Sequence, residues 1–197
     1  MSKIFLQYKN KFNFEVLSGG MILPEKPQHI SVTANYILKA YGKVEELSGI
    51  KFGKDYLWHI KNPSDSDWYP NSEKPAIALC IFKEYHPGLQ VLFATDLQNA
   101  LHSEGRDLCD NEAYRHLLEK YQIPEKDFFE KIDLPEYKEK ASYEFALVKQ
   151  LNVTGFPTVL LQVSETKFYL LSRGFSDYET FNQRIEKILS ELHQDND

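Results

Sequence analysis

Apolar residues fall at Ile4, Phe5, Tyr8 and Phe12, a spacing that predicts a helix over residues 3–12. Phe14, Val16 and Leu17 then predict a short strand, FEVLS, closed by a turn at Gly19-Gly20. A loop with Pro24 and Pro27 leads to a helix over 31–41, with Val32, Tyr36, Ile37 and Ala40 on one face. The centre of the chain is mostly helical. Residues 75–86 open on a proline, which a first helical turn tolerates. Residues 89–103 form an amphipathic helix with a stop at Gly105. Asp110 is placed to cap NEAYRHLLEKYQ. Pro124 opens EKDFFEKI, and Asp133 is placed to cap the helix that carries PEYKEKASYEFALVKQL. The polar, aromatic stretch between 50 and 72 reads as an ordered surface loop held by its rings. In the last third, TVLLQVS and KFYLLS predict two strands joined through Glu165-Thr166. Ser176-Asp177-Tyr178-Glu179 has the spacing of a capping box. The helix after it runs to about His193, with Phe181, Ile185, Ile188 and Leu192 facing inward and a frayed QDND tail.

Composition narrows the function classes. A chain of 197 residues suits one domain with room for an inserted subdomain. An apolar fraction of 42% with 14% aromatics supplies a substantial core and argues against disorder. The net charge of −6, without a long basic run, gives no electrostatic footprint for nucleic acid and no preference for an anionic membrane. No apolar run reaches the ~18 residues that a membrane-spanning helix needs. In MSKIFLQYKNKF the apolar run is broken by Gln7 and Lys9, so no signal-peptide core is visible and a cytoplasmic protein is expected.

Candidate chemistry is sparse. The two cysteines, Cys80 and Cys109, form no C-x-x-C. Cys80 in AIALCIF reads as a buried, inert thiol. Cys109 lies between Asp107 and Asp110, whose charges raise a thiol pKa, so it is no nucleophile. His29, His59, His86, His102, His116 and His193 show no zinc-type spacing, and neither a metal nor a cofactor is expected. Tyr56, Trp58, Trp68 and Tyr69 have two readings, a groove for apolar peptide or a clamp that holds a long loop to the body. Glu104, Arg106 and Asp107 read as a charge cluster that fixes their loop. Gly19-Gly20 alone is no phosphate loop.

The most specific stretch is NVTGFPTVLL, 152–161. Its Val153-x-Gly155-Phe156-Pro157-Thr158 resembles the cis-proline loop of the thioredoxin superfamily. Taken with FNFEVLSGGM (12–21), LHSEGRDLCD (101–110) and FALVKQLNVTGFPTVLL (145–161), the chain resembles the DsbA family of thiol–disulfide oxidoreductases, in its intracellular FrnE-like branch, over residues 3–193. The resemblance implies an α/β thioredoxin-like fold in two segments, 1–27 and 139–197, around an all-helical insertion at 28–138. It implies a cis bond before Pro157 that turns the backbone groups of Phe156 outward, where they pair with an extended substrate. Gly155, Phe156, Pro157 and Thr158 are then the expected substrate-binding residues. The implied partners are a polypeptide or a small thiol or disulfide, with a second copy or a strand-donating protein as further candidates.

The chain departs from that family in one respect. The family's reactive thiolate belongs to a C-x-x-C at the start of the first helix, where free amides and the helix dipole lower its pKa. Here that pair and the strand ahead of the helix are absent, so no catalytic residue is assigned. Three readings stay open: a start codon placed too late, a truncated paralogue that pairs with another chain, or KIFLQY refolded as a replacement strand. The expected function is that of a DsbA-like family member that is redox-inactive as the chain stands. The alternative is a noncatalytic peptide-binding module, and a weaker third reading is a glutathione-using transferase of the same fold.

Overall fold

The computed structural model describes residues 1–194; of the QDND tail expected to fray, Gln194 still belongs to the last helix and 195–197 lie outside the described residues. Ile4, Phe5 and Tyr8 recur on one side of helix α1 (Ser2–Tyr8), and all three are buried. KIFLQY is therefore helical, which removes the replacement-strand reading. Two strands pair antiparallel, β1 (Thr158–Gln162) and β2 (Phe168–Arg173), and helix α9 (Tyr178–Gln194) follows. In the register, Val159 faces Ser172 and Leu160 faces Leu170, so Leu171 is the extra residue of a bulge. Ile4 and Tyr8 of α1, Leu171 of β2, and Phe181, Ile185 and Ile188 of α9 bury one another. The Tyr8 hydroxyl lies 2.7 Å from Asn182 Oδ1 and 2.5 Å from Glu186 Oε1, which ties the two helices together.

The rest is helical: α2 (Ser31–Ser48), α3 (Lys54–Lys61), α4 (Glu73–Tyr85), α5 (Gln90–His102), α6 (Arg115–Lys120), α7 (Glu125–Ile132) and α8 (Pro135–Gln150). Helix α4 is buried without a break from Ala76 to Phe82. Such all-round burial marks a central helix, and α5, α7 and α8 pack around it. Phe82 and Phe93 stack at 4.0 Å between ring centres. A separate cluster of Ile30, Ala34, Tyr56, Ile60 and Trp68 joins α2 to α3.

Four expectations need correction. FEVLS is no strand: β-pairing needs a neighbouring strand, and helical side chains take its amides instead. The Val16 amide donates to Gln90 Oε1 at 3.0 Å and the Ser18 amide to Glu144 Oε2 at 2.8 Å. The stretch 50–72 is not wholly loop, because Tyr56 and Ile60, four apart, drive α3 into the cluster with Trp68. Asp133 does not cap α8, which begins on Leu134 with Pro135 in its first turn. The cap of α9 is Asp177, not Ser176: its Oδ1 accepts from the Thr180 amide at 2.9 Å and its Oδ2 from the Thr180 hydroxyl at 2.7 Å. Asp110 does cap the single helical turn that precedes α6, accepting from the Glu112 amide.

Candidate functional site

Helix α8 ends where Asn152 takes a positive φ of 54°, and the Val153 amide returns to the Val148 carbonyl at 3.2 Å. This turn sends the chain across the end of the hairpin. The Phe156–Pro157 peptide bond is cis. On either side the loop is pinned: Thr158 Oγ1 donates to the Gly155 carbonyl at 2.6 Å, and the Gly174 amide donates to the Pro157 carbonyl at 2.7 Å. Phe156 remains 41% exposed and Pro157 is exposed with it. The Phe156 ring lies against Gly19, where a Cβ would sit only 2.2 Å from a ring carbon. Glycine at 19 is thus set by a close approach between two loops far apart in sequence.

The four expected site residues, Gly155 through Thr158, therefore stand on one loop at the start of β1. Beside them Leu151, Val153, Leu160, Phe168, Leu170 and Arg173 line an open cleft of about 290 Å³. Val159 and Leu161 face the cluster with α1 and α9, so strand alternation leaves Leu160 on the other face. Sequence reasoning did not pick out the cleft. Leu160, Phe168 and Leu170 stand on the solvent side of the hairpin, and apolar residues on the polar face of a two-stranded sheet were the available signal. Arg173 lies against Gly155 and opposite Thr158.

The thiols lie elsewhere. Cys80, on α4, is buried, with its sulfur 3.6 Å from Glu144 Oε1. Burial, reinforced by the Glu144 charge, pushes its pKa up to about 12. Cys109 sits in the loop before α6, where Asn71 Nδ2 approaches its sulfur at 3.2 Å. Burial first, and then the Asp107 carboxylate, push its pKa up to about 11. Neither touches the Phe156 loop through a contact among the described residues. Tyr56 and Trp68 clamp α3 to α2, whereas Trp58 and Tyr69 stay exposed, so the four aromatics do not line one groove. Arg106 Nε donates to Glu104 Oε2 at 2.5 Å and Asp107 accepts from the Cys109 amide, so this charge cluster fixes its own loop. Among the described residues no group of His, Cys, Asp and Glu is placed to hold a metal ion.

The family profile of the DSBA-like thioredoxin domain matches residues 25–186, more than half of the chain. The chain belongs to the DSBA-like thioredoxin family. Solved structures agree on the fold. The chain is similar to a Nitrosomonas europaea protein described as a candidate protein disulfide isomerase, with 21% identity and a TM-score of 0.79 over 96% of this chain and 88% of the other. It is also similar to the cytosolic disulfide reductase DsbM of Pseudomonas aeruginosa, with 19% identity and a TM-score of 0.69 over 94% and 90%. The same reductase solved with GSH matches at 20% identity and a TM-score of 0.69. No curated protein matches the sequence. Within this DSBA-like domain, the loop at Phe156 and the cleft beside it are the candidate site.

Proposed function

We propose that this DSBA-like chain holds an extended, thiol- or disulfide-bearing polypeptide along the Phe156–Thr158 edge and carries out no thiol–disulfide exchange with its own two cysteines. One observation carries the reading: exposed Phe156 and Pro157 lead into β1 beside an apolar cleft, and β1 pairs with β2 alone among the described residues. Its second edge carries no strand pairing among the described residues, and an extended segment added there is the proposed mode of binding. Leu160 and Leu170 offer an apolar pocket for a side chain of that strand, and Arg173 offers a charge at the rim. Exchange in this family's chemistry needs a thiolate that attacks a disulfide and forms a mixed disulfide. Cys80 and Cys109 are both held as thiols, away from this edge. Gly155, Phe156, Pro157 and Thr158 are the proposed binding residues. The proposed division gives residues 1–27 and 139–197 the binding edge and residues 28–138 the helical insertion. The separate cluster of α1, the hairpin and α9 supports it. A cytoplasmic setting accords with the reductase neighbour.

Fluorescence anisotropy of the full chain with a labelled, cysteine-containing peptide, run beside an insulin reduction assay, tests both halves. The expected result is binding that weakens about ten-fold in Phe156→Ala and in Leu160→Asp, as the loss of an anchor at an interface does, with no insulin reduction above the reductant alone. Turnover by the chain overturns the inactive half. Peptide affinity unchanged in both variants overturns the assignment of the edge.

A further inference from the structure

Arg173 is the one arginine whose side chain makes no ion pair or hydrogen bond among the described residues. Arg106 and Arg115 pair with glutamates, and Arg184 donates to the Leu171 carbonyl at 2.5 Å. Side chains of a strand alternate between its faces, so Arg173 would ordinarily share the face of Leu171, which is buried against α1 and α9. The bulge changes that. Leu171 has no partner in the register, and the buried Ser172 stands opposite Val159. One extra residue on the core side brings Arg173 round to the face of Phe168 and Leu170, where it lines the cleft. Its stem passes Gly155, where an added Cβ would meet Arg173 Cγ at 3.8 Å and Cδ at 3.9 Å. Thr158, opposite Arg173 on β1, has its hydroxyl engaged with the Gly155 carbonyl. No other residue that lines the cleft is charged.

We propose that the peptide held on this edge carries a carboxylate that pairs with Arg173, beside an apolar side chain seated on Leu160 and Leu170. The inference rests on the edge reading above. Neighbouring strands lie about 4.8 Å apart, so a strand added to the outer edge of β1 runs about 10 Å from β2. An arginine leaning across the short Thr158 side chain and a glutamate leaning back span that gap together. On one face of a strand, successive side chains stand two residues apart. Thr158 and Leu160 are themselves two apart, so a side chain level with Leu160 sets another, two residues away, level with Thr158 and Arg173. The preferred segment therefore has an apolar and an acidic residue separated by one position, in an order set by the direction in which it pairs. The net charge of −6 would by itself favour basic peptides. At physiological salt, exposed charges more than about 8 Å apart are largely screened, so the cation within the cleft decides.

Fluorescence anisotropy of the full chain reads the preference, with end-capped, cysteine-containing peptides that carry Glu, Gln or Lys two residues before or after a leucine. In the order that matches the strand's direction, the Glu peptide should bind about two- to five-fold tighter than the Gln peptide, the size of an exposed ion pair, and the Lys peptide weaker than both. Added salt narrows the difference. Tighter binding of a Gln peptide whose free carboxyl end stands at that position supports the same pairing and names the chain end as a source of the carboxylate. Arg173→Gln abolishes the Glu preference and Arg173→Glu turns it toward Lys, whereas Phe156→Ala weakens all the peptides alike. Arg173 is exposed, so both variants keep the wild-type circular dichroism spectrum. Equal affinity for the Glu and Gln peptides, or a Glu preference that survives Arg173→Gln, overturns the pairing; a continued loss in Phe156→Ala then leaves the edge itself standing. Absence of binding by every peptide overturns the edge reading and the pairing with it.

Discussion

Cys80 and Cys109 show how far a single residue can be read from its neighbours. The apolar run around Cys80 announced a core thiol, and the acidic flanks of Cys109 announced a raised pKa. For Cys109 the direction holds, but the order of causes differs: burial acts first and Asp107 second. The contribution of Glu144 to Cys80 was invisible, because it comes from a helix 64 positions away. A thiol reacts through its thiolate, and with pKa values near 12 and near 11 both remain protonated in neutral solution. Native protein is expected to resist iodoacetamide at about pH 8, where a free cysteine of pKa ≈ 8.5 reacts readily. Both should label fully in denaturant. Intact-mass measurement checks this, and rapid labelling of either residue in the folded protein would contradict the inert assignment.

At the scale of elements, periodicity made most of the helices legible, because each must bury one face and that face recurs every three to four residues. FEVLS failed for a reason that no local pattern carries: a strand exists only with a neighbour, and its neighbours here are Gln90 and Glu144. Helix α3 was hidden among polar and aromatic residues because only Tyr56 and Ile60 of it are fully buried. At α9, Ser176 and Asp177 both offered an oxygen, and the choice rested on a one-residue difference in where the helix begins. Asp177 gives that helix a pH dependence. The Thr180 amide and hydroxyl hold its carboxyl below the ordinary value of 3.8. A carboxyl whose pKa is depressed by folding stabilises fully above its unfolded value, and loses that contribution as the pH falls through the folded one. Asp177→Ala should therefore lower Tm at neutral pH, and the gap from wild type should close as the pH drops below 3.8. Thermal melts of both proteins across that range measure it. A gap that stays constant into strong acid would show that the cap does not act through its charge.

For the whole molecule, the thioredoxin-like class and the helical insertion were recognisable from element order and the GFPT loop. The relation between distant segments was not. Phe156 resting on Gly19, and the cleft between Leu160, Leu170 and Arg173, exist only after the chain returns on itself. Among the described residues no helix is long and apolar enough to cross a membrane. Burial is uneven across the fold. Helix α4 is enclosed by other helices, whereas β1 has one strand beside it and an open cleft on one face. Local opening follows such differences. Native-state hydrogen exchange should find the Ala78–Phe82 amides the slowest and those of β1 markedly faster. Equal protection in both would mean that the hairpin opens only with the whole molecule.

The two amides taken by Gln90 and Glu144 bear on how the protein behaves in a crowded solution. An extended stretch with bare amides is a template on which other chains stack, and sequences often blunt such stretches with charge or by covering them. At Val16 and Ser18 the blunting comes from two helix side chains that occupy the donors from within. Exchanging Gln90 and Glu144 for aliphatic residues would leave those part-buried donors unpaired, a cost of about 1–3 kcal/mol for each, and thermal melts should show the lower Tm.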